Sequence, residues 1–318
     1  MKIAVVLVLL LSACLLIAQT PAPPASTPAN AAPQGNVSPQ IKQAQQLNSE
    51  GKQDEALAIL TQMLAADPDN YEANLNAGAV LDLKGDYDKA RTYLKHAIEV
   101  APSDRRVQSL RTMAVSYAFT CDLPHVQNFE ELAAQSQVDA QKFTDAAGTY
   151  NELARIYLEC GDTAGASKWY QTGHQTATRS LNMSDADRNL WSFRLQSAKA
   201  RIAAREGNAT EANADVAAAR ALLDSGKVPA NQELFRPYLN GYVAFYAKDY
   251  KTAIEQFQKA DQKDPFILVM LGQTYEKLGN QPEAMEYYRQ ALTINTHNPT
   301  NAFARPLAKK KLGMGNQR

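Results

Sequence analysis

The chain has 318 residues, enough for one large domain or two, and its 33 lysines and arginines are balanced by 33 aspartates and glutamates. The lack of an excess positive charge argues against a nucleic-acid partner. Glycine and proline number only 15 each, and a good share of the prolines lie near the N-terminus, so the remainder can be mostly helical.

Residues 1–19 are predicted to form a secretory signal peptide. Lys2 supplies one positive charge, and the following residues 3–18 (IAVVLVLLLSACLLIA) carry none. The run is shorter than the ~20 apolar residues that span a bilayer, and it leads into a stretch rich in small residues and proline. We therefore expect the protein to act outside the cytoplasm, periplasmic or secreted. An uncleaved anchor is the less favoured interpretation.

Within this run, the sequence Leu11-Ser12-Ala13-Cys14 resembles the bacterial lipobox, whose cysteine is acylated and becomes the mature N-terminus. Cys14 comes early, however, and the apolar residues continue beyond it. Ala18 is the best candidate for ordinary cleavage, although no good small-x-small site is present. Lipidation at Cys14 and ordinary cleavage both stay open, with ordinary cleavage preferred; the lipid would be the only link to a membrane.

Residues 20–38 (TPAPPASTPANAAPQGNVS) are predicted to be a linker or stalk. Their proline, alanine, serine and asparagine content cannot bury apolar surface and favours extended conformations. The folded part is therefore expected to begin at residue 39.

From there one spacing recurs six times: a glycine, or lysine once, stands five residues before an alanine. The six pairs are Gly51 and Ala56, Gly85 and Ala90, Gly161 and Ala166, Gly207 and Ala212, Lys248 and Ala253, and Gly279 and Ala284. The first two copies lie 34 residues apart, which is typical of stacked helical hairpins. The pattern predicts a repeat array whose function lies in a surface.

The spacing has a physical cause. Glycine ends the first helix of each hairpin because a left-handed cap costs little without a side chain. The next residue is predicted to cap the second helix. A small alanine permits close helix approach, and a proline after the second helix stops it. The predicted caps are Asp86, Asp162, Asn208, Asp249 and Asn280.

Residues 71–104 (YEANLNAGAVLDLKGDYDKARTYLKHAIEVAPSD) resemble a tetratricopeptide repeat. The matching small and large positions are Ala77-Gly78, Leu81, Gly85, Tyr87, Ala90, Leu94, Ala97 and Pro102. The resemblance implies an all-α fold, a right-handed α-solenoid of about seven antiparallel helix pairs over residues 39–299. A C-terminal capping helix and tail, residues 300–318, is expected to turn Phe303 and Leu307 inward.

Two units depart from the template. One lacks the glycine, and we expect its helices within residues 105–119 and 122–136. In another, residues 184–206 predict one long helix that begins at a Ser184 cap. Trp169, Tyr170 and Trp191 lie at packing positions of the central helices and are expected in the core.

No catalytic motif is present, so we expect neither an enzyme nor a cofactor. The four histidines are scattered and are expected on solvated faces, and Cys121 with His125 is too weak a pair to predict a metal site. The basic run at residues 309–311 could be a patch for anionic lipid or nucleic acid. The solvated face of the final helix is the preferred interpretation.

Cys121 and Cys160 fall at or beside the turns of neighbouring units. They could pair in an oxidising compartment. Adjacent repeat turns, however, usually stack ~10 Å apart, beyond the ~7 Å reach of a disulfide. Free thiols are therefore the preferred expectation.

The resemblance implies that the first helices line a concave groove that binds an extended peptide or a partner's helix. The groove candidates are Asn151, Arg155, Ser197, Arg201, Tyr238, Tyr242 and Phe245. Aromatic and arginine side chains are common binding anchors, which predicts a peptide with apolar and acidic residues. The alternative, that the tyrosines belong to the core, stays open.

The expected function is a non-catalytic scaffold that binds a protein or peptide. The competing hypothesis is a lipid-anchored structural component of a cell-envelope assembly complex, of the pilus or outer-membrane biogenesis type.

Overall fold

The computed structural model describes residues 38–314, which contain fifteen α-helices, one short 3₁₀ helix (Ala230–Leu234) and no strand. The helices form seven antiparallel hairpins, namely α1 (Pro39–Ser49) with α2 (Gln53–Ala66), α3 (Tyr71–Lys84) with α4 (Tyr87–Val100), α5 (Arg106–Ala118) with α6 (Leu123–Asp139), α7 (Phe143–Glu159) with α8 (Thr163–Ala177), α9 (Asp185–Arg205) with α10 (Ala209–Asp224), α11 (Phe235–Tyr246) with α12 (Tyr250–Phe257), and α13 (Pro265–Lys277) with α14 (Gln281–Leu292). A final helix, α15 (Pro299–Lys311), follows.

This architecture confirms the α-solenoid of helix pairs, including the unit without a glycine (α5 and α6) and the unbroken α9 after Ser184. The predicted signal peptide, Cys14 and nearly all of the linker lie outside the described residues. Within residues 38–314, none of the helices combines the length and the apolar character needed to cross a bilayer.

Each hairpin turns at a residue with a positive φ angle. These residues are Gly51, Gly85, Cys121, Gly161, Gly207, Lys248 and Gly279. The recurring glycine therefore marks a left-handed position at the end of the first helix, where a side chain is costly. Cys121 takes that position in the third hairpin, with a φ of 50°.

Four of the five predicted caps accept a hydrogen bond from the backbone N–H three residues later. They are Asp162, Asn208, Asp249 and Asn280, at 2.7–3.4 Å. Asp86 is the exception: its side chain makes no capping bond and pairs with Lys89 at 2.8 Å instead.

The repeat alanines lie in the core of the array. All six are fully buried: Ala56, Ala90, Ala166, Ala212, Ala253 and Ala284. In the second hairpin, a Cβ atom placed on Gly78 of α3 would lie 3.0 Å from the carbonyl oxygen of Ala90 in α4. Trp169, Tyr170 and Trp191 are buried as predicted.

The turns of the third and fourth hairpins are joined by a disulfide between Cys121 and Cys160, whose Cα atoms lie 5.7 Å apart. The expectation of free thiols was therefore wrong. Cys160 packs against the same apolar cluster that contains Ala118 and Phe119, just before Cys121. Because the two turns share this cluster, they come closer than the usual ~10 Å and within disulfide range.

The C-terminal helix contacts α13 and α14, which precede it, and also α5 and α7 near the middle of the array. Phe303 and Leu307 are half-buried as predicted, and Phe303 packs against the clusters of both the central and the C-terminal hairpins. Just before α15, the backbone oxygen of Asn295 accepts a hydrogen bond from Asn48 at the end of α1, at 3.1 Å. The solenoid therefore curves until its two ends touch.

Two expectations about charged groups were wrong. His297 does not lie on a solvated face: its side chain is only 10% exposed, and Nε2 lies 2.8 Å from Asp82 Oδ2. The basic run is not uniformly solvated either. Lys310 is exposed, but Lys309 donates to the carbonyl of Lys84 at 2.9 Å, and Lys311 pairs with Glu276 at 2.7 Å.

Candidate functional site

The first helices of the fourth to seventh hairpins bring arginine and tyrosine side chains together. The guanidinium carbon of Arg155 in α7 lies 5.5 Å from the ring centre of Tyr238 in α11 and 5.2 Å from that of Phe266 in α13. Such contacts stabilise a cation when it is shielded from water. Five of the seven predicted groove residues meet in this cluster: Arg155, Ser197, Arg201, Tyr238 and Tyr242.

Arg155 is incompletely satisfied. Its Nε and Nη2 atoms are buried and find no hydrogen-bond acceptor within residues 38–314. The nearby carboxylate of Asp264 is already used as the cap of α13, where it accepts from the N–H of Phe266 at 2.9 Å. Burial raises the pKa of Asp264, and the charge of Arg155 opposes that shift. A buried donor without an acceptor is costly, and more so when it is charged.

Arg201, in contrast, has acceptors for each of its three nitrogen atoms. Nη2 donates to the hydroxyl of Tyr170 at 2.9 Å and Nη1 to that of Tyr238 at 3.4 Å. Nε donates to the backbone oxygen of Ser197 at 3.3 Å. The residue is 7% exposed, so with its bonds to the two tyrosines it holds α9 to α8 and α11 inside the cluster.

A second arginine of α9, Arg205, is a member of the cluster that the sequence analysis missed. It pairs with Glu159 of α7, and its Nε donates to the Tyr242 hydroxyl at 2.6 Å. Burial, followed by the charge of Glu159, raises the pKa of Tyr242 well above its usual value. Tyr242 is fully buried, so the core alternative applies to this tyrosine.

Glu159 and Arg205 could have been predicted from their spacing in the sequence. Glu159 follows Arg155 by four residues and Arg205 follows Arg201 by four, so each extends the same helical face.

Two groove candidates lie elsewhere. Asn151 faces α8, since a Cβ atom on Gly173 would lie 2.5 Å from Asn151 Oδ1. The ring of Phe245 packs at 5.9 Å against Tyr250, at the start of α12. Both side chains therefore stabilise contacts within their own hairpins.

Comparison with known proteins agrees with this architecture. Family models described as "Tetratricopeptide repeat" match residues 47–114 and 267–298. The chain therefore contains tetratricopeptide repeats (TPRs). No curated protein matches the chain.

Two crystal structures share the fold of this TPR chain. One is a tetratricopeptide repeat protein from Parabacteroides merdae, with 12% identity, a TM-score of 0.50, and coverage of 86% of this chain and 96% of that one. The other is the apo form of RapI, with 11% identity, a TM-score of 0.53, and coverage of 87% and 98%.

The concave face of the TPR array is covered by its own C-terminal helix. The ring of Phe303 in α15 lies 6.3 Å from that of Phe266, the same ring on which Arg155 rests. Ala302 of α15 is buried in the cluster that contains Leu153 and Ala154 of α7. The predicted groove is thus an internal surface in this conformation.

The side chains of this cluster are suited to binding a ligand. It offers one buried cation with free donors and several aromatic faces. Within the described part of the chain, no group of three or more histidine, cysteine, aspartate or glutamate side chains could hold a metal ion. An open hollow of about 430 Å³ beside the disulfide is less suited to binding, because Tyr157 and Asp162 in its wall are held by Gln127 and the α8 cap.

Proposed function

We propose that this protein is a non-catalytic scaffold outside the cytoplasm, and that its concave face between α7 and α13 binds a partner segment that combines an acidic side chain with apolar ones. The repeat architecture supports a role in protein–protein interaction. The observation that carries this proposal is the pair of buried, unsatisfied donors on Arg155 between two aromatic rings.

The charge of the cluster supports an acidic ligand. Arg155, Arg201 and Arg205 contribute three cations, whereas Glu159 and Asp264 contribute two carboxyl groups. A carboxylate can accept two parallel hydrogen bonds from one guanidinium. The rings of Tyr238 and Phe266 would contact the apolar part of the same segment.

The disulfide supports the location. Disulfides persist in oxidising compartments and are rare in the cytosol, where thiols are kept reduced. The uncharged run at residues 3–18 points to the same side of the membrane.

Selection of short random peptides on the immobilised full-length protein tests the ligand. We expect enrichment of sequences that place aspartate or glutamate beside apolar residues. An Arg155→Gln variant should bind the selected peptides at least ~10-fold more weakly, because a charged hydrogen bond is worth ~1.5–3 kcal/mol.

Arg188→Gln is the matched control, since Arg188 is exposed and its ion-pair partner, Asp185, lies on the same helix α9. It should bind like the unsubstituted chain. If Arg155→Gln reduces helicity by circular dichroism, Arg155→Lys keeps the charge without the forked donors and is used instead. Selected peptides without acidic residues, or equal binding by a folded Arg155 variant, would contradict the proposal.

The second candidate function is a lipid-anchored structural component of a cell-envelope assembly complex, of the pilus or outer-membrane biogenesis type. It rests on Leu11-Ser12-Ala13-Cys14. Mass spectrometry of the mature N-terminus distinguishes the two: an acylated Cys14 supports the anchored component, and a free N-terminus near Gln19 supports the soluble scaffold.

A further inference from the structure

The C-terminal helix lies on the surface that would bind the partner. We propose that α15 is a displaceable cover of the concave face, and that the face opens when the C-terminal segment separates from the end of α3. This inference rests on the proposed function, because it concerns access to the same Arg155 site.

The two sides of α15 are held by different interactions. Towards α13 and α14, the helix buries Ala304 and Ala308 completely in an apolar cluster, with Leu307 and Leu312 packed around them. This side continues the stacking of the last hairpin. We therefore expect it to stay in place when the face opens.

Towards α3 the helix makes polar contacts beside Ala302, which is buried in the apolar cluster that contains Leu83. Arg305 Nε donates to the carbonyl of Leu83 at 2.7 Å, and Lys309 Nζ donates to those of Leu83 and Lys84 at 3.2 and 2.9 Å. These carbonyls end α3 and lack partners within their own helix. Water or a ligand can take the place of either cation there.

A buried chain of hydrogen bonds adds to this contact. His297 Nε2 lies 2.8 Å from Asp82 Oδ2, and Ser116 of α5 donates to Asp82 Oδ1 at 2.8 Å. At the end of the array, Gln53 donates to Asn295 Oδ1 at 3.2 Å. The bonds of His297 and Gln53 cross between the first three hairpins and the C-terminal segment, whereas Ser116 holds Asp82 in place within those hairpins.

Repulsion between cations weakens the contact between α15 and the end of α3. Arg305, Lys309 and Lys84 crowd one end of α3, and burial, together with the two neighbouring cations, lowers the pKa of Lys309 to about 8. An acidic partner would relieve this repulsion and would also supply acceptors to Arg155. Binding and opening would therefore favour each other.

The position of Phe303 also implies that this side chain of α15 must shift before a ligand can reach Arg155. Phe303 of α15 covers Phe266, one of the two rings that hold Arg155. A partner carboxylate can reach the buried donors of Arg155 only when the Phe303 ring moves away from Phe266.

The test uses the full-length chain and the double variant Arg305→Ala with Lys309→Ala. Lys310→Ala is the matched control, since Lys310 is exposed on the same helix. Hydrogen exchange followed by mass spectrometry is measured over residues 81–86 and 295–309. We expect exchange at least ~10-fold faster in both segments for the double variant, and no change for the control.

A fluorescent peptide that copies residues 293–314 serves as the probe for access. It should bind the double variant at least ~10-fold more tightly than the unsubstituted chain, because the end of α3 is then free. Unchanged exchange in a folded double variant, or equal peptide binding by all three proteins, would overturn the cover. If the double variant loses helicity, Lys309→Met alone is measured by the same two readouts. Since the probe is the chain's own helix, this result does not depend on the Arg155 experiment.

Discussion

Replacing Gly78 by alanine measures how closely α3 and α4 pack. A Cβ atom at this position would lie 2.5 and 2.6 Å from the Cγ and Cδ2 atoms of Leu94 and 3.0 Å from the Ala90 carbonyl oxygen. Leu94 and Ala90 are both fully buried. Neither neighbour can turn into solvent, so the helices must move apart.

Two effects of the substitution oppose each other. In a helix interior, alanine is favoured over glycine by ~1 kcal/mol. Overpacking a well-packed interior costs ~1–3 kcal/mol. We therefore expect Gly78→Ala to lower the free energy of unfolding by as much as ~2 kcal/mol, with little change at the lower limit.

Gly148→Ala in α7 separates the two effects, because within residues 38–314 no atom beyond its chain neighbours and its own helix backbone lies within 4 Å of the added Cβ. This control should be stabilised by ~0.5–1 kcal/mol. Urea denaturation followed by circular dichroism gives both values, provided that the dependence on urea is the same. If Gly78→Ala is as stable as Gly148→Ala, the close approach of α3 and α4 is wrong.

Three further outcomes are expected. Burial and the neighbouring Glu152 raise the pKa of Glu130 well above 4.5, against the effect of Arg111. The contribution of Glu130 to wild-type stability should therefore fall as pH rises above ~4.5. In urea titrations, the Glu130→Gln variant should become more stable relative to the wild type as the pH rises. Folding lowers the pKa of Lys309 from 10.5 to about 8, so the melting temperature should rise between those pH values, and Lys309→Met should lose that rise. Reduction of the disulfide should lower stability by ~2–4 kcal/mol, whereas Cys160→Ser, measured in parallel, should be insensitive to the reductant.

The hairpins could be predicted from the sequence because their signals are local. Glycine or a substitute at the turn, a capping residue after it and an alanine five residues on are all short-range features, and they located even the long α9 after Ser184. Part of the cluster was predicted for the same reason, since Arg155, Arg201 and Tyr238 occupy equivalent faces of their helices.

The covered face could not be predicted in this way. The bond from Arg305 to Leu83 joins residues 222 positions apart, and it depends on small rotations that accumulate over seven hairpins. The prediction of free thiols failed for a related reason. It assumed the spacing of regular repeats, whereas in the third hairpin Cys121 itself takes the place of the turn glycine. Both errors concern distance between units, which local patterns do not encode.

The bridge between Cys121 and Cys160 also determines how the protein transmits mechanical force. If the chain is pulled from both ends, tension passes from the end of α5 directly through the sulfur atoms to the start of α8. The intervening α6 and α7 bear no load, although the cysteines are separated by 39 positions in the sequence. Tension therefore acts directly on the hairpins on either side, and it reaches the helix that carries Arg155 only through that helix's packing contacts.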